Sequence, residues 1–312
     1  MILNWLQRAR NLAPLLLLIF GEPAVAHVAD GAHGIVWSSL DPWSVLLLLG
    51  MGWCYVRGRA IGRRRSRMGG GARRDALLFW TGWSVLFIAL LPPVDTLGGQ
   101  LFFMHMIQHE LLILLSAPLL VLSRPAGRLL WGLPDRLRDG FVRLNRKRVV
   151  RRAGRWSLSP AGAWALHAVA LWGWHLPVLF NASLASDAVH ALQHLSFFVS
   201  ALLFWSALLL SRDRSRNAVA IVYLFTTALH SGLLGVLLTF SKSPWYAPYA
   251  VTTGGFGYTP LEDQQLGGLI MWVPSSLVFL AAILVLAARL LEERAPSRHR
   301  LAYQRNVGKN HG

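Results

Sequence analysis

The chain alternates long apolar runs with short polar segments, a pattern typical of proteins that cross a membrane several times. A helix needs about 20 mostly apolar residues to cross the hydrocarbon core, because every backbone polar group must be paired within the segment. Seven runs after the N-terminus approach that length, at residues 35–56, 76–93, 101–122, 161–180, 188–210, 217–240 and 266–288. The pattern therefore predicts an all-α fold, a polytopic membrane bundle of seven transmembrane helices.

The first 26 residues have a different pattern. Arg8 and Arg10 precede a short apolar run at residues 12–20, and small residues at Ala24 and Ala26 then frame a cleavage site. This arrangement predicts a signal peptide over residues 1–26. A retained N-terminal helix is the alternative, because apolar length alone separates the two poorly.

The basic residues lie almost entirely on one side of the predicted spans. The chain carries 31 Lys and Arg against 14 Asp and Glu. After residue 26, every basic residue except Lys242 falls in alternate loops or in the tail. The positive-inside rule then places the mature N-terminus outside and the C-terminus in the cytoplasm. Contact with membrane lipid explains this charge, so no nucleic acid partner is needed.

These boundaries predict the domain organisation. Residues 27–291 form one transmembrane domain with a basic cytoplasmic loop at 123–160, and residues 292–312 form a basic cytoplasmic tail. Within the loop, residues 133–150 mix apolar and basic positions, which indicates an amphipathic helix along the membrane surface. Pro118, Pro177 and Pro274 interrupt apolar runs and predict kinks.

Histidines concentrate near the outer ends of the predicted spans. Two of these spans begin with the pattern H-x-apolar-Q-H, which gives His105 with His109 and His190 with His194. Residues at i and i+4 share one helix face, near enough for both imidazoles to bind one ion. His175 lies at the outer end of a third span. Ionisable residues at membrane depth usually mark function, so these five histidines are the predicted metal ligands.

The residue types favour copper. Imidazole binds copper, zinc, iron and nickel, and nearby thioethers favour Cu(I). Further candidate ligands, or side chains that orient ligands, belong to the same outer half. They are Met104, Gln108, Gln193, His230, Asp95 and Asp263. Asp263, with Glu262, has a plain structural alternative, which is to cap the last helix.

Two other functions compete for the same histidines. One histidine from each pair could bind the iron of a haem, one on each face of the haem ring, so a haem protein remains an alternative. A copper or small-solute transporter is the second alternative, although it should place polar groups along the whole membrane depth. The single cysteine, Cys54, excludes an intrachain disulfide. No nucleophile elbow, P-loop, dinucleotide fingerprint or HExxH occurs, and we expect no enzyme activity.

Four segments together resemble the CtaG family of cytochrome c oxidase assembly factors. They are FMHMIQHELL at 103–112, LWGWHLP at 171–177, HALQHLSF at 190–197 and PLEDQQLGGLIMW at 260–272. The resemblance implies a multi-pass protein of the bacterial inner membrane that helps to mature the oxidase. It further implies delivery of copper to nascent cytochrome c oxidase subunits, with a periplasmic copper donor as a candidate second partner.

Overall fold

The computed structural model describes residues 42–64, 71–210 and 217–294, and these residues are helical throughout, with turns between the helices and no strand. The predicted signal peptide, and the predicted tail of residues 292–312 from residue 295 onward, lie outside the described residues. The first helices are α1 (Pro42–Arg64), α2 (Ala72–Leu90), α3 (Val94–Gly98) and α4 (Phe102–Leu122). The next are α5 (Ala126–Gly132), α6 (Asp135–Arg146), α7 (Arg148–Ser157) and α8 (Pro160–Trp174). The last are α9 (Pro177–Ala185), α10 (Asp187–Leu209), α11 (Asn217–Thr239) and α12 (Pro260–Arg294).

Several of these helices are long and apolar enough to cross a membrane. Within the described residues four helices qualify by themselves, namely α4, α10, α11 and α12. The bent pair α8–α9 adds a fifth if it counts as one span. The helices α1 and α2 have shorter apolar stretches, because arginines occupy the last turns of α1 and the first turn of α2. The all-helical membrane fold is thus confirmed, whereas the count of seven spans stays a prediction.

Two predicted helices are broken in the structure. The run at 161–180 was expected as one helix, but α8 and α9 meet at an angle of 74° around His175 and Leu176. Pro177 opens α9, where its missing N–H costs no helical hydrogen bond. The surface helix expected at 133–150 is divided into α6 and α7, because Lys147 has extended backbone dihedral angles.

The start of α12 precedes the predicted start at residue 266. Thr259 stands just before the helix, and its hydroxyl accepts a hydrogen bond from the Glu262 N–H at 3.2 Å. In return, a Glu262 carboxylate oxygen accepts the Thr259 N–H at 2.8 Å. This is a capping box, which satisfies two N–H groups that the first turn leaves unpaired. The capping prediction for Glu262 is therefore confirmed.

A widened π-helical turn, Leu111–Ser116, interrupts α4 just after His109. The Ala117 N–H donates to the Leu112 carbonyl five residues back, and the same pattern would pair the Ile113 carbonyl with residue 118. Pro118 has no N–H, and the indole Nε1 of Trp205 donates to the Ile113 carbonyl instead, at 2.7 Å. This bond ties α10 to α4 below the two histidine pairs.

The short helix α5 packs against α1 with backbone contacting backbone. A Cβ atom added to Gly132 would collide with the carbonyl oxygen of Cys54, and one added to Gly58 would collide with that of Arg128. A salt bridge of 2.7 Å between Arg128 and Asp75 joins the same element to α2. The interface therefore requires the absence of a side chain at Gly58 and Gly132.

We expect Gly132→Ala to lower the stability of the folded protein by about 1–3 kcal/mol, because the added methyl group must push α5 away from α1. The measurement is the Tm of the purified protein in detergent. Gly140→Ala is the matched control, since nothing lies within 4 Å of its added Cβ and alanine favours the helix. An unchanged Tm in Gly132→Ala would contradict the close approach of the two helices.

Candidate metal centre

The two histidine pairs face one another across the interface between α4 and α10. Within each helix the paired rings are close, with centroids 4.4 Å apart for His105 and His109 and 4.1 Å apart for His190 and His194. Across the interface the His105 ring lies 5.5 Å from that of His190. The His109 ring lies 5.7 Å from that of His194. The structure thus brings all four imidazoles into one cluster, which we call the histidine cluster together with His175.

Three members of the histidine cluster have the geometry to share one metal ion. Ligand atoms of His105, His109 and His194 all lie within 4.8 Å of one another. The three residues are nearly inaccessible, with exposed fractions of 0%, 3% and 5%. We call this set the inner trio. His175 lies beside it, with its ring centroid 6.2 Å from that of His109.

Buried ring nitrogens of the histidine cluster have no hydrogen-bond partner within the described residues. They are Nε2 of His105, His175, His190 and His194, and both ring nitrogens of His109. Burial of a polar atom without a partner costs about 1–3 kcal/mol, so native structures rarely leave several together. A metal ion that accepted one lone pair each from His105, His109 and His194 would remove part of that cost.

Hydrogen bonds on the opposite nitrogen fix two of these rings. His175 Nδ1 lies 2.7 Å from the Leu171 carbonyl oxygen, which can only accept, so Nδ1 carries the proton and Nε2 keeps its lone pair. His105 Nδ1 lies 3.4 Å from the hydroxyl of Tyr249. Such contacts orient imidazoles for metal binding and raise their basicity.

Tyr249 belongs to the loop between α11 and α12, which lies against one end of the cluster. Its hydroxyl donates to the Gly98 carbonyl at 2.8 Å. Burial, helped by the nearby Asp263 carboxylate and Tyr246, raises the pKa of Tyr249 well above its ordinary value, so the donated proton is retained at neutral pH. Tyr246 donates in the same way to the His175 carbonyl at 2.9 Å.

Two phenylalanines form the apolar wall of the cluster. The Phe180 ring centroid lies 4.9 Å from that of His105, and the Phe197 ring centroid lies 4.5 Å from that of His109. Both side chains are fully buried. Because these rings offer no polar partner, they give the imidazoles an apolar environment on this side and limit the access of water.

Asp263 fixes the start of the helix that carries the first histidine pair. Its carboxylate accepts the backbone N–H groups of Phe102 at 2.7 Å and of Phe103 at 3.0 Å. These two residues form the first turn of α4, and a negative charge there also interacts well with the helix dipole. Asp263 also lies in the first turn of its own helix, α12, but its hydrogen bonds cap α4.

Asp95 and Gln108 are joined beside the histidine cluster. The Gln108 amide donates to the Asp95 carboxylate at 2.8 Å and to the Ala89 carbonyl at 2.7 Å. Asp95 also lies near the second pair, since ligand atoms of Asp95, His190 and His194 are all within 4.8 Å of one another. Gln108 therefore holds the carboxylate of Asp95 against the cluster.

The remaining candidate ligands differ in their burial and in whether they lie beside the cluster. Gln193 is fully buried on α10, between the two histidines of its pair, whereas Met104 is partly exposed. His230 lies outside the cluster, and its ring contacts Trp164 with centroids 5.3 Å apart. Trp164 precedes His175 by about 16 Å along α8. In this structure α11 presents His230 to the other half of α8, away from the cluster.

Sequence reasoning missed the aromatic residues that surround the cluster. Tyr246 and Tyr249 stand in a loop that the pattern marked only as polar and external, and Phe180 and Phe197 look like ordinary core residues in their runs. One feature of the sequence could have indicated them, namely the two tyrosines, Tyr246 and Tyr249, in the predicted external loop before the PLEDQQ segment. Phenol groups that are buried near the surface of a membrane need specific hydrogen-bond partners.

Comparison with known protein families gives a match that spans this part of the chain. A comparison with curated proteins found no match, and a comparison with solved structures found none either. A family model described as cytochrome c oxidase caa3 assembly factor matches residues 53–293, which include both histidine pairs, Asp95 and Asp263. This match covers well over half of the chain, and the chain belongs to the Caa3_CtaG family of cytochrome c oxidase assembly factors.

Proposed function

We propose that this protein carries Cu(I) as cargo on the histidine cluster and passes it to a nascent cytochrome c oxidase subunit. The inner trio, His105, His109 and His194, binds the ion, and His175 and His190 stand ready as exchanging ligands. The protein crosses the bacterial inner membrane seven times, with its N-terminus outside and its C-terminus in the cytoplasm. In this topology the cluster lies near the outer surface, where a periplasmic copper donor could reach it.

One observation carries the proposal: three buried imidazoles from two different helices have ligand atoms within 4.8 Å of one another. Their free lone pairs face apolar walls and not water. Imidazole suits copper, and a dry pocket without carboxylate in the trio disfavours hard cations such as Mg²⁺ or Ca²⁺. Membership of an oxidase assembly family supports an oxidase subunit as the recipient of such cargo.

Ligand exchange is the mechanism that this arrangement supports. A partner donor atom binds the copper ion as one imidazole leaves it, and the ion stays Cu(I) throughout, so no electron is transferred. Transfer is favourable when the partner offers a better set of ligands. The protein binds and releases cargo, which is a non-enzymatic role.

Metal analysis and a visible spectrum of the same purified protein test the proposal. We expect about one copper per chain and no strong visible absorption, because a filled d shell has no d–d bands. A Soret band would instead identify a haem protein. Copper uptake into proteoliposomes would identify a transporter, and protein free of copper after growth and purification with copper present would contradict cargo binding.

A further inference from the structure

A second set of ligand atoms lies directly beside the inner trio. Asp95, His190 and His194 also have ligand atoms within 4.8 Å of one another, and we call them the outer trio. The two sets share one residue, His194. They differ in composition, since the outer trio includes a carboxylate and the inner trio has imidazoles alone.

The two sets also differ in accessibility. Asp95 and His190 are partly exposed, whereas His105 and His109 are buried. Asp95 lies in α3, the short helix between α2 and α4 in the chain. His190 lies in the first turn of α10. The outer trio is therefore the more accessible of the two sets.

We propose that Asp95, His190 and His194 form a second metal position, through which Cu(I) reaches and leaves the inner trio. The inference rests on the proposed copper cargo and adds its route. His194 stays bound while the other two ligands change, so the ion moves inward when bonds to His105 and His109 replace those to Asp95 and His190. Each bond that breaks is matched by one that forms, and the copper stays Cu(I).

The chemistry of the two sets gives this route a direction. A carboxylate is a hard ligand and holds soft Cu(I) weakly, whereas imidazole holds it more firmly. The negative charge of the Asp95 carboxylate therefore attracts Cu(I) to the outer position, and the weak bond gives the ion a short residence time there. The Gln108 amide, 2.8 Å from the Asp95 carboxylate, holds that group in place without neutralising its charge.

Loading kinetics of the full-length protein in detergent test the route. Cu(I) is supplied as its coloured complex with the chelator bathocuproine disulfonate, and the loss of colour gives both the loading rate and the final copper content. Asp95→Asn removes the charge and keeps an oxygen that can accept the Gln108 hydrogen bond. We expect it to load about tenfold more slowly and to reach the wild-type copper content.

Three further variants complete the design. His190→Ala removes the other outer ligand, and we expect the same slow loading, which keeps the test decisive if Asp95→Asn folds poorly. His105→Ala should lose final copper content. Asp187→Asn is the matched control, because Asp187 is an exposed carboxylate on the same turn of α10 as His190, and it should load at the wild-type rate.

The outcomes separate the two proposals. Wild-type protein that takes no Cu(I) would overturn the cargo function itself. If the wild-type protein binds Cu(I) and both Asp95→Asn and His190→Ala load at the wild-type rate, only the outer position would be overturned. Loss of final copper content in Asp95→Asn as large as in His105→Ala would also overturn it, because Asp95 would then belong to a single site.

Discussion

His194→Ala should lower the Cu(I) affinity of the purified protein by at least about 100-fold. Loss of a residue that merely orients a ligand costs about 10–100-fold in metal affinity, and loss of a ligand should cost more. His194 is the most sensitive position because its ligand atom lies within 4.8 Å of those of both trios. Competition with a Cu(I) chelator of known affinity gives the Kd.

His230→Ala is the control for His194→Ala. His230 is another histidine within a membrane-spanning helix, and its two ring nitrogens are buried without a hydrogen-bond partner in the described residues. It contacts Trp164 and not the cluster, so its removal should leave the Kd within about threefold of wild type. Equal losses in the two variants would mean that copper affinity reflects general folding and not the cluster.

Asp263→Ala should destabilise the protein by about 2–5 kcal/mol, because it leaves the N–H groups of Phe102 and Phe103 buried without an acceptor. These groups open the helix that presents His105 and His109, so copper affinity should fall together with stability. The measurements are the Tm of the protein in detergent and its Kd for Cu(I). A Tm within the error of wild type would contradict the capping role.

Two variants control for the loss of charge and size at Asp263. Asp263→Asn keeps one carbonyl oxygen, so it should satisfy one of the two N–H groups and lie between wild type and Asp263→Ala in Tm. Glu262→Gln removes the neighbouring charge on the exposed side of α12, where its contacts are with Thr259. We expect a small change in Tm and an unchanged Kd for Cu(I).

The histidine pairs could be predicted because their geometry is local. A spacing of four residues places His105 with His109, and His190 with His194, on one helix face whatever the rest of the fold does. The apolar runs likewise predicted the long membrane helices, and Thr259 with Glu262 gave a local cap. Each of these features depends on residues within one or two helical turns.

Features that depend on distant residues could not be predicted. Asp263 caps a helix that begins about 160 positions earlier in the chain, and either helix end was an equally reasonable partner for its carboxylate. Tyr249 reaches Gly98 and His105 from a loop about 150 positions later in the chain. His230 contacts Trp164, and the sequence of α11 does not indicate which part of a neighbouring helix that ring meets.

The bend at His175 could be predicted only in part. Pro177 predicted a kink, but a proline can either bend a continuous helix or open a new one. The structure shows the second outcome, with the His175 ring held by the Leu171 carbonyl at the end of α8. At this turn the His175 ring centroid lies 6.2 Å from that of His109.

X-ray absorption at the copper edge of Cu(I)-loaded protein tests the central claim most directly, because it reports the atoms bound to the metal. The account predicts three nitrogen neighbours at about 2 Å, with the outer-shell scattering of imidazole rings. The same signal should disappear in His194→Ala. A spectrum dominated by sulfur neighbours from Met104, Met106 or Cys54 would show that copper binds elsewhere, and the histidine cluster would then not be the site of the cargo.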